Sequence, residues 1–447
     1  MNSISIASLL AKLESIRQRT PSNDKTKEKD LNDLNNEIES MAENSSPEIT
    51  FVKAGIQEQL ASLKRSNPLL ERAIHFYREI VYSAENVESD DLYLKSAEKC
   101  IELMKFRGWT GQSVKIYQFL INRFPLNGLV NAKFRQQLGV AHLTIGQNDK
   151  AKEVFEDQIK INQDAFSKAH LGFILKTEGV NKDDTALLQR AVELIDFALR
   201  DETESKSLEG LFYFHLGDAY RRLGQAEKAD EIFQLATDRQ IFQSFWQRSL
   251  YNEPNLKAQP VWPLKETGIL SKFNQIKAKF DTIQKEALSV YDSKAGGFVK
   301  ETEGLKDTGY WGQFDLFVQG RKNAQNCAKA PITCALIESI PEVKNNRRGQ
   351  VKFSVMKAGT HVHPHSGPTN CRLRAHMGLK IPQRSNATST ALRVADQLLH
   401  WSEGDIFVFD DSFDHEVWNL DGDRIVFIFD LWHPQLSAEK RASLPAI

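Results

Sequence analysis

The pattern of apolar positions along the chain changes from a helical period to a strand period. From about residue 51 to 240 the pattern is helical throughout, with few prolines. After residue 313 short β-like runs follow one another with turn signals between them: QFDLFV, TCALIE, GQVKFSVM, CRLRAHMGLKI, ALRVA, DIFVF, HEVWN and RIVFIFDLW. Several short strands of this kind predict a sandwich or barrel. The sequence therefore predicts an α+β multidomain chain that ends in a jelly roll.

An internal repeat lies within the helical part. Three copies begin at Leu138-Gly139, Leu171-Gly172 and Leu216-Gly217. In the first copy a ring follows the glycine after three residues, an alanine after twelve and a phenylalanine after sixteen. These offsets resemble the tetratricopeptide repeat, in which small residues sit where paired helices cross closely. The concave face of such a solenoid binds something extended, or the solenoid only supports the next domain, and both interpretations stay open.

Shifts in composition predict four segments. Residues 1–50 are a helix followed by a flexible polar segment, because the stretch after residue 18 is charge-rich and almost free of aromatic residues. Residues 51–245 form the helical repeat domain. Residues 246–300, with prolines and a tryptophan and then a helix over about 268–290, form a connector and outer helix. Residues 301–447 form the jelly-roll (double-stranded β-helix) domain.

Charge and hydropathy exclude some classes of partner. The net charge of −1 gives no support for nucleic acid or an acidic membrane as principal partner. No window approaches the roughly 18 continuous apolar residues of a membrane span. The start of the chain resembles an amphipathic helix rather than a signal peptide. Taken alone, the sequence predicts a cytosolic or truncated chain.

The four cysteines leave the compartment open. Cys327 and Cys334 are seven residues apart around Ala330-Pro331, a spacing that a loop could close into a disulfide. Two reduced thiols are an equally good interpretation, and only a bridge would favour an oxidising compartment.

The densest chemistry lies between residues 361 and 376, which hold four of the eleven histidines. Arg372, Arg374 and His376 alternate with apolar residues, so a strand would place all three on one face. A strand with an apolar opposite face suits the wall of a small barrel that holds an anion and a metal.

Two histidines fit a non-heme metal site. His365 is followed two residues later by Gly367, where such sites often have an acid, and His415 begins a distant strand. Arg424 lies nine residues beyond His415, where oxygenases of this type hold the distal carboxylate of 2-oxoglutarate.

Longer motifs carry a closer resemblance. The segments HPHSGPTNCRLRAHMGL, FDDSFDHEVWN and DLWHPQL with the SLPAI ending are similar to the catalytic domain of the aspartyl/asparaginyl β-hydroxylase family. The likeness extends upstream through WQRSLYN and AQPVWPLKETG into the repeats. It implies Fe(II) at His365 and His415. Gly367 stands at the position of the acid that this family also lacks, so water completes the metal shell.

The resemblance also implies the cosubstrate pocket. Ser354 and Arg424 would hold the distal carboxylate of 2-oxoglutarate. Arg374 and His376 would hold its other end near the metal, and Trp311 would line the same pocket.

Two further positions are implied to contact the substrate. Arg372 is the candidate for gripping its acidic side chain. Lys306 stands where the family tends to have an arginine, and lysine keeps the charge but loses the two-pronged geometry.

The activity implied is that of a peptide-aspartate β-dioxygenase that uses Fe(II), 2-oxoglutarate and O2. It would hydroxylate the β-carbon of Asp or Asn in polypeptides, with EGF-like domains as substrates held between the repeat and oxygenase domains. The implied location is the endoplasmic reticulum lumen, with the cytoplasm as the alternative. Competing interpretations are a repeat adaptor with a catalytically silent cupin domain, motivated by the absent acid, and a zinc cupin with hydrolytic or isomerase chemistry.

Overall fold

A computed structural model describes residues 6–18, 24–41, 46–201, 208, 210–292, 297–301, 304–384, 386 and 388–447. The chain divides into two compact units, residues 1–174 with 193–207 and residues 175–192 with 208–447. In the described part of the chain, no helix is both long enough and apolar enough to cross a bilayer. The domain boundaries at 50, 245 and 300 stay predictions.

The first half of the chain is helical, as predicted. Its helices are α1 Ile6–Arg17, α2 Asp24–Glu39, α3 Pro47–Lys64, α4 Asn67–Tyr82, α5 Asp90–Phe106, α6 Thr110–Arg123, α7 Leu129–Thr144, α8 Asn148–Asn162, α9 Ala165–Lys182, α10 Thr185–Arg200, α11 Gly210–Arg222 and α12 Ala226–Asp238.

Helix α2 corrects the prediction that the segment after residue 18 is flexible. Its buried residues Leu31, Leu34 and Ile38 are spaced three and four apart and belong to one apolar cluster with Leu9 and Leu13 of α1. This narrow stripe is enough to hold a polar helix against a neighbour, although its average composition is that of a flexible segment.

The repeat glycines lie where the predicted crossings require them. A Cβ atom at Gly139 of α7 would overlap the ring of Phe155 in α8, and one at Gly217 of α11 would overlap the ring of Phe233 in α12. Both phenylalanine rings are buried. The aromatic side chain therefore fills the space that the missing glycine side chain leaves between paired helices.

The second half of the chain combines strands with short helices. The strands are β1 Val261–Trp262, β2 Val299–Lys300, β3 Lys306–Thr308, β4 Trp311–Val318, β5 Arg321–Lys322, β6 Gln350–Met356, β7 Thr360–His365, β8 Arg372–Lys380, β9 Thr390–Val394, β10 Gln397–Leu399, β11 Ile406–Phe409, β12 His415–Asn419 and β13 Arg424–Trp432. The helices are α13 Leu270–Lys277, α14 Phe280–Tyr291, α15 Ala324–Cys327, α16 Pro331–Glu338, α17 Pro341–Lys344 and α18 Ala438–Ser443. The helix predicted over 268–290 is thus two helices, α13 and α14.

The strands form two antiparallel sheets. The larger has the order β1-β11-β8-β13-β6-β4-β2, with β5 paired to β4, and the smaller has the order β10-β9-β12-β7-β3. One apolar cluster contains residues of both sheets, including Met356 and Val426 of the larger and Val362 and Val417 of the smaller. The fold class is therefore confirmed as an all-α repeat region followed by a double-stranded β-helix.

The run TCALIE was wrongly predicted to be a strand, because it forms helix α16. Pro331 occupies the first turn, where its missing N–H costs nothing, and the Glu286 carboxylate accepts hydrogen bonds from the N–H groups of Ile332 and Thr333. Cys334 of this helix forms a disulfide with Cys327. The bridge that the sequence left open is therefore present.

The repeat packing can be tested with a matched pair of glycines in the first unit. Gly139→Ala should lower the free energy of unfolding by about 1–3 kcal/mol, because its Cβ overlaps Phe155. Gly111→Ala, in α6, meets no atom within 4 Å and should change stability by less than about 1 kcal/mol. Chemical denaturation followed by circular dichroism measures both. Equal effects would contradict the packing account.

Candidate active site

A cavity of about 390 Å³ opens between the two sheets. Its walls combine charged and imidazole groups with apolar side chains, so it can hold a polar ligand out of bulk water. The larger sheet contributes Trp311, Lys352, Ser354, Arg372, Arg374, His376 and Arg424, and the smaller sheet contributes Val362, His365, Leu392, His415 and Val417.

His365 and His415 meet at one end of this cavity. Antiparallel pairing of β7 with β12 puts them directly opposite each other, with ring centroids 4.1 Å apart. Nδ1 of His365 bonds to the carbonyl of His363 at 2.8 Å, and Nδ1 of His415 bonds to the carbonyl of Phe413 at 2.9 Å. A carbonyl accepts only from Nδ1–H, so the lone pair of each ring is on Nε2, the form that binds metals.

Burial keeps His415 neutral. Loss of hydration, together with the neighbouring His365, lowers the pKa of His415 to about 3. A neutral imidazole at physiological pH is a competent metal ligand without having to lose a proton first.

The space beside Gly367 is filled by a carboxylate from another segment. The Gly367 N–H donates to the backbone carbonyl of Asp411 at 2.6 Å. A Cβ atom at position 367 would lie 2.5 Å from Asp411 Oδ2. A side chain at 367 therefore cannot fit while Asp411 holds its position, which gives the missing acid a steric reason.

Two arginines of β8 hold Asp411. Arg372 donates to both carboxylate oxygens, at 3.2 and 2.6 Å, and Arg374 Nη1 lies 3.3 Å from Oδ2. Burial by itself would raise the pKa of Asp411, but Arg372 and Arg374 hold it well below its usual range. Asp411 is thus a buried, fully ionised carboxylate next to the histidine pair.

The predicted alternation along β8 is present. Arg372, Arg374 and His376 line the cavity, whereas Leu373 and Ala375, which lie between them, are fully buried in the core on the opposite face. Arg374 is also bound through Nε and Nη2 to Asp430 of β13, at 2.7 and 2.9 Å. This bidentate ion pair fixes its guanidinium in the cavity wall.

Arg424 is a buried cation that forms no ion pair with any acid of the described residues. Its side chain is 1% exposed, and its guanidinium lies 4.3 Å from the centroid of the Trp401 ring. In the described part of the chain, its Nε and Nη1 atoms have no hydrogen-bond partner. Burial lowers its pKa to about 9, which still leaves it charged at neutral pH. Buried charges are normally paired, so this one indicates an anionic ligand.

Two neutral donors lie in the same cavity. Ser354 Oγ accepts a hydrogen bond from Trp311 Nε1 at 3.0 Å, which leaves its own proton to donate elsewhere. His376 Nδ1 accepts from Trp401 Nε1 at 3.3 Å, so its proton is on Nε2, which has no partner among the described residues. Burial and the nearby Arg424 lower the pKa of His376 and keep it neutral.

The two predicted substrate contacts occupy different environments. Arg372 lines the cavity, but its guanidinium is bonded to Asp411 and to the carbonyl of Arg348. Burial would lower its pKa, but the two carboxylates of Asp411 and Asp430 raise it. Lys306 begins β3 directly after Leu305, which lines the cavity.

Several residues of the site were missed in the sequence. No sequence pattern indicated Asp411, Asp430 or Trp401, which contact the arginines of the cavity wall. Lys352 lines the cavity two residues before Ser354, and its Nζ donates to Gln350 Oε1 at 2.7 Å. The alternation of side chains along β6 could have indicated Lys352, because a residue two positions before Ser354 lies on the same face of the strand.

Among the described residues, no three His, Cys, Asp or Glu side chains converge as a ready metal site. A metal in this cavity would therefore have the two histidines as its protein ligands, and the arginines of the cavity wall lie nearby. Fold and cavity together define a class: a helical-repeat protein with a double-stranded β-helix domain whose cavity pairs two histidines with buried arginines.

Comparison with known proteins places the chain within that class. Residues 277–434 match the family described as aspartyl/asparaginyl beta-hydroxylase, and residues 132–164 and 212–240 match the tetratricopeptide repeat. Most of the β-domain is therefore similar to the aspartyl/asparaginyl β-hydroxylase family.

Two relatives match most of the chain. Aspartyl/asparaginyl beta-hydroxylase of Homo sapiens is 42% identical over 90% of the chain and 51% of its own length. The Mus musculus protein of the same name is 41% identical over 90% of the chain and 52% of its own length. The chain thus spans about half the length of these relatives.

A third relative matches a shorter stretch. The ornithine lipid ester-linked acyl 2-hydroxylase of Rhizobium tropici is 37% identical over 28% of the chain and 42% of its own length.

The steric account of Gly367 makes a prediction about metal binding. Gly367→Asp supplies the absent acid, yet its Cβ would displace Asp411 and strain both histidine strands by about 1–3 kcal/mol. Its affinity for Mn(II), measured by calorimetry, should therefore be at least about 5-fold weaker than that of the unmodified chain. Gly422→Asp, at an exposed position, is the control. Tighter binding by Gly367→Asp would contradict the account.

Proposed function

We propose that this protein is an Fe(II)- and 2-oxoglutarate-dependent dioxygenase. It hydroxylates the β-carbon of Asp or Asn residues in polypeptides, and its substrates are EGF-like domains. The observation that carries the proposal is the buried Arg424 guanidinium, which has no carboxylate partner among the described residues and shares a cavity with two opposed histidines. The match of residues 277–434 to the aspartyl/asparaginyl β-hydroxylase family supports the hydroxylase chemistry.

The donor set fits ferrous iron. Two imidazoles whose Nδ1–H groups are held by backbone carbonyls would bind a metal through Nε2 and are suitable ligands for ferrous iron. His365 and His415 would hold the metal. When bound, Fe(II) supplies the activation of O2 that is coupled to oxidative decarboxylation of 2-oxoglutarate to succinate.

Several donors of the cavity wall fit a dicarboxylate. Arg424 and the Ser354 hydroxyl would bind the distal carboxylate, since a buried guanidinium and an O–H donor suit a carboxylate better than they suit a neutral ligand. His376 Nε2–H and Arg374 would bind the other carboxylate, nearer the histidines. Trp311 orients Ser354 through its indole N–H, and Lys352 adds a further cation to the wall.

Substrate recognition is assigned to the cationic residues next to the histidines. Lys306 and Arg372 would attract the carboxylate of a substrate Asp. The Lys306 ammonium is a compact charge on a flexible side chain, so it can bind acidic side chains that differ in length or in angle of approach. The planar guanidinium of an arginine would tolerate such differences less well. Arg372, held by Asp411, would act from a rigid position.

The Cys327–Cys334 bridge supports an oxidising compartment. Disulfides persist in the endoplasmic reticulum lumen and outside cells, and are rare in the cytosol. We propose the endoplasmic reticulum lumen as the site of action.

The direct test is mass spectrometry of a peptide product. The protein is incubated with Fe(II), 2-oxoglutarate, ascorbate and a synthetic EGF-like-domain peptide that contains one Asp. A gain of one oxygen atom on that Asp, with stoichiometric succinate, is expected. Absence of both products in a folded, iron-loaded sample would favour the adaptor interpretation. Turnover that persists without O2 would favour a zinc cupin.

Arg424 allows a sharper test of the cosubstrate assignment. Arg424→Gln should raise the KM for 2-oxoglutarate about 10- to 150-fold, since the loss of one hydrogen bond to a charged group costs about 1.5–3 kcal/mol. Mn(II) affinity should stay within about twofold, because Arg424 does not contact the histidines. Arg321→Gln, on the exposed strand β5, is the control. An unchanged KM in Arg424→Gln would refute this role.

A further inference from the structure

Helix α11 ends in two adjacent arginines that contact the β-domain within the same compact unit. Arg221 Nη1 lies 3.0 Å from Oδ1 of Asp414, the residue before the His415 ligand. Arg222 Nη2 donates to the backbone carbonyl of Gly304 at 2.7 Å, two residues before Lys306. The last helical repeat therefore contacts the segments that carry one candidate metal ligand and one candidate substrate contact.

The Arg222 side chain is fixed from the helix side. Its Nε donates to Asp218 Oδ2 one helical turn earlier, at 3.0 Å, and Asp218 is also paired with Lys176 of α9. The Arg222 and Asp218 side chains are only 10% and 12% exposed. Solvent therefore screens this pair poorly, and the guanidinium is held in one orientation before it reaches Gly304.

The segment that receives this bond leads directly into the cavity wall. Gly304 has a φ of +69°, which glycine adopts without strain, and a Cβ atom there would lie 3.1 Å from Val180 of α9. The next residue, Leu305, lines the cavity, and its carbonyl accepts from the His363 N–H at 2.9 Å. The carbonyl that Arg222 binds therefore belongs to the residue directly before one that lines the cavity.

Strand pairing then places Lys306 next to the cavity wall. Lys306 is paired with Val362 of β7, which lines the cavity. Its ammonium lies 3.4 Å from the carbonyl of Asp307 in an exposed position, where a substrate can reach it. β3 is an edge strand of three residues with an irregular register, and such a strand depends on contacts at its ends.

We propose that Arg222 is a positioning residue for substrate recognition. It holds the Gly304 carbonyl so that β3 stays in register and the Lys306 ammonium meets the carboxylate of an acidic residue in the substrate polypeptide. This inference rests on the proposed function. It assigns to one side chain of the last repeat the role of holding β3 in place.

The experiment compares Arg222→Lys and Arg222→Gln with a matched control. Arg222→Lys keeps a charge beside Asp218 but cannot donate to Asp218 and Gly304 through a fixed fork. The control is Arg200→Gln, which removes an exposed arginine that makes the same one-turn ion pair with Asp196. Each protein is assayed as the full chain with Fe(II), 2-oxoglutarate and the EGF-like-domain peptide. Hydrogen exchange over residues 304–310 is measured in parallel without substrate.

Both Arg222 variants should raise the KM for the peptide about 10-fold with kcat within about twofold, as expected for loss of roughly one charge-assisted hydrogen bond. Peptide-independent turnover of 2-oxoglutarate and its KM should not change. Exchange over residues 304–310 should be faster than in the unmodified chain. Arg200→Gln should match the unmodified chain in every measurement.

Several results would overturn the inference: unchanged exchange over 304–310, an unchanged peptide KM, or equal effects of Arg200→Gln. A rise in the KM for 2-oxoglutarate of similar size would also overturn it, because it would indicate general damage to the cavity. Failure of the unmodified chain to hydroxylate the peptide is a different result, since it would refute the proposed function itself. The exchange measurement needs no turnover and separates the two failures.

Discussion

The carboxylate of Asp411 is buried beneath the candidate metal site, and the geometry of the cavity depends on how it is neutralised. An ionised carboxylate without solvent is unstable unless several donors surround it. Arg372 and Arg374 supply those donors from one strand, and in doing so they become fixed parts of the cavity wall. The same carboxylate excludes any side chain at Gly367. The Asp411 carboxylate thus accounts for the missing metal ligand and, together with Asp430, for two immobile cations.

The charges of the site differ in how they are satisfied. Arg372 and Arg374 are neutralised by Asp411 and Asp430, whereas Arg424 has no acid within its described surroundings and leans on the face of Trp401. A ring face only partly replaces hydration of a cation. The Arg424 guanidinium is therefore a positive charge in the cavity wall without a counter-ion among the described residues. A dicarboxylate would neutralise this charge, so the cavity is electrostatically complementary to the proposed cosubstrate.

The sequence predicted the large features because periodicity encodes them. Alternation along β8 correctly placed Arg372, Arg374 and His376 on the cavity face, and the repeat offsets correctly predicted that Gly139 lies at a close helix crossing. Local composition failed where tertiary contacts decide. TCALIE has β propensity, but Pro331, the Glu286 carboxylate and the disulfide favour a helix there. The roles of Asp411 and Arg222 depend on partners 39 and 82 residues away in sequence, which no local pattern reveals.

The central claim is that two histidines and an unpaired arginine form one site for a metal and a dicarboxylate. A crystal structure of the full chain with Mn(II) and 2-oxoglutarate, grown without oxygen, tests it most directly. The account predicts metal bound to Nε2 of His365 and His415 and to no third side chain, with one carboxylate on Ser354 and Arg424. Metal bound elsewhere, a third protein ligand, or a dicarboxylate that leaves Arg424 unpaired would contradict it.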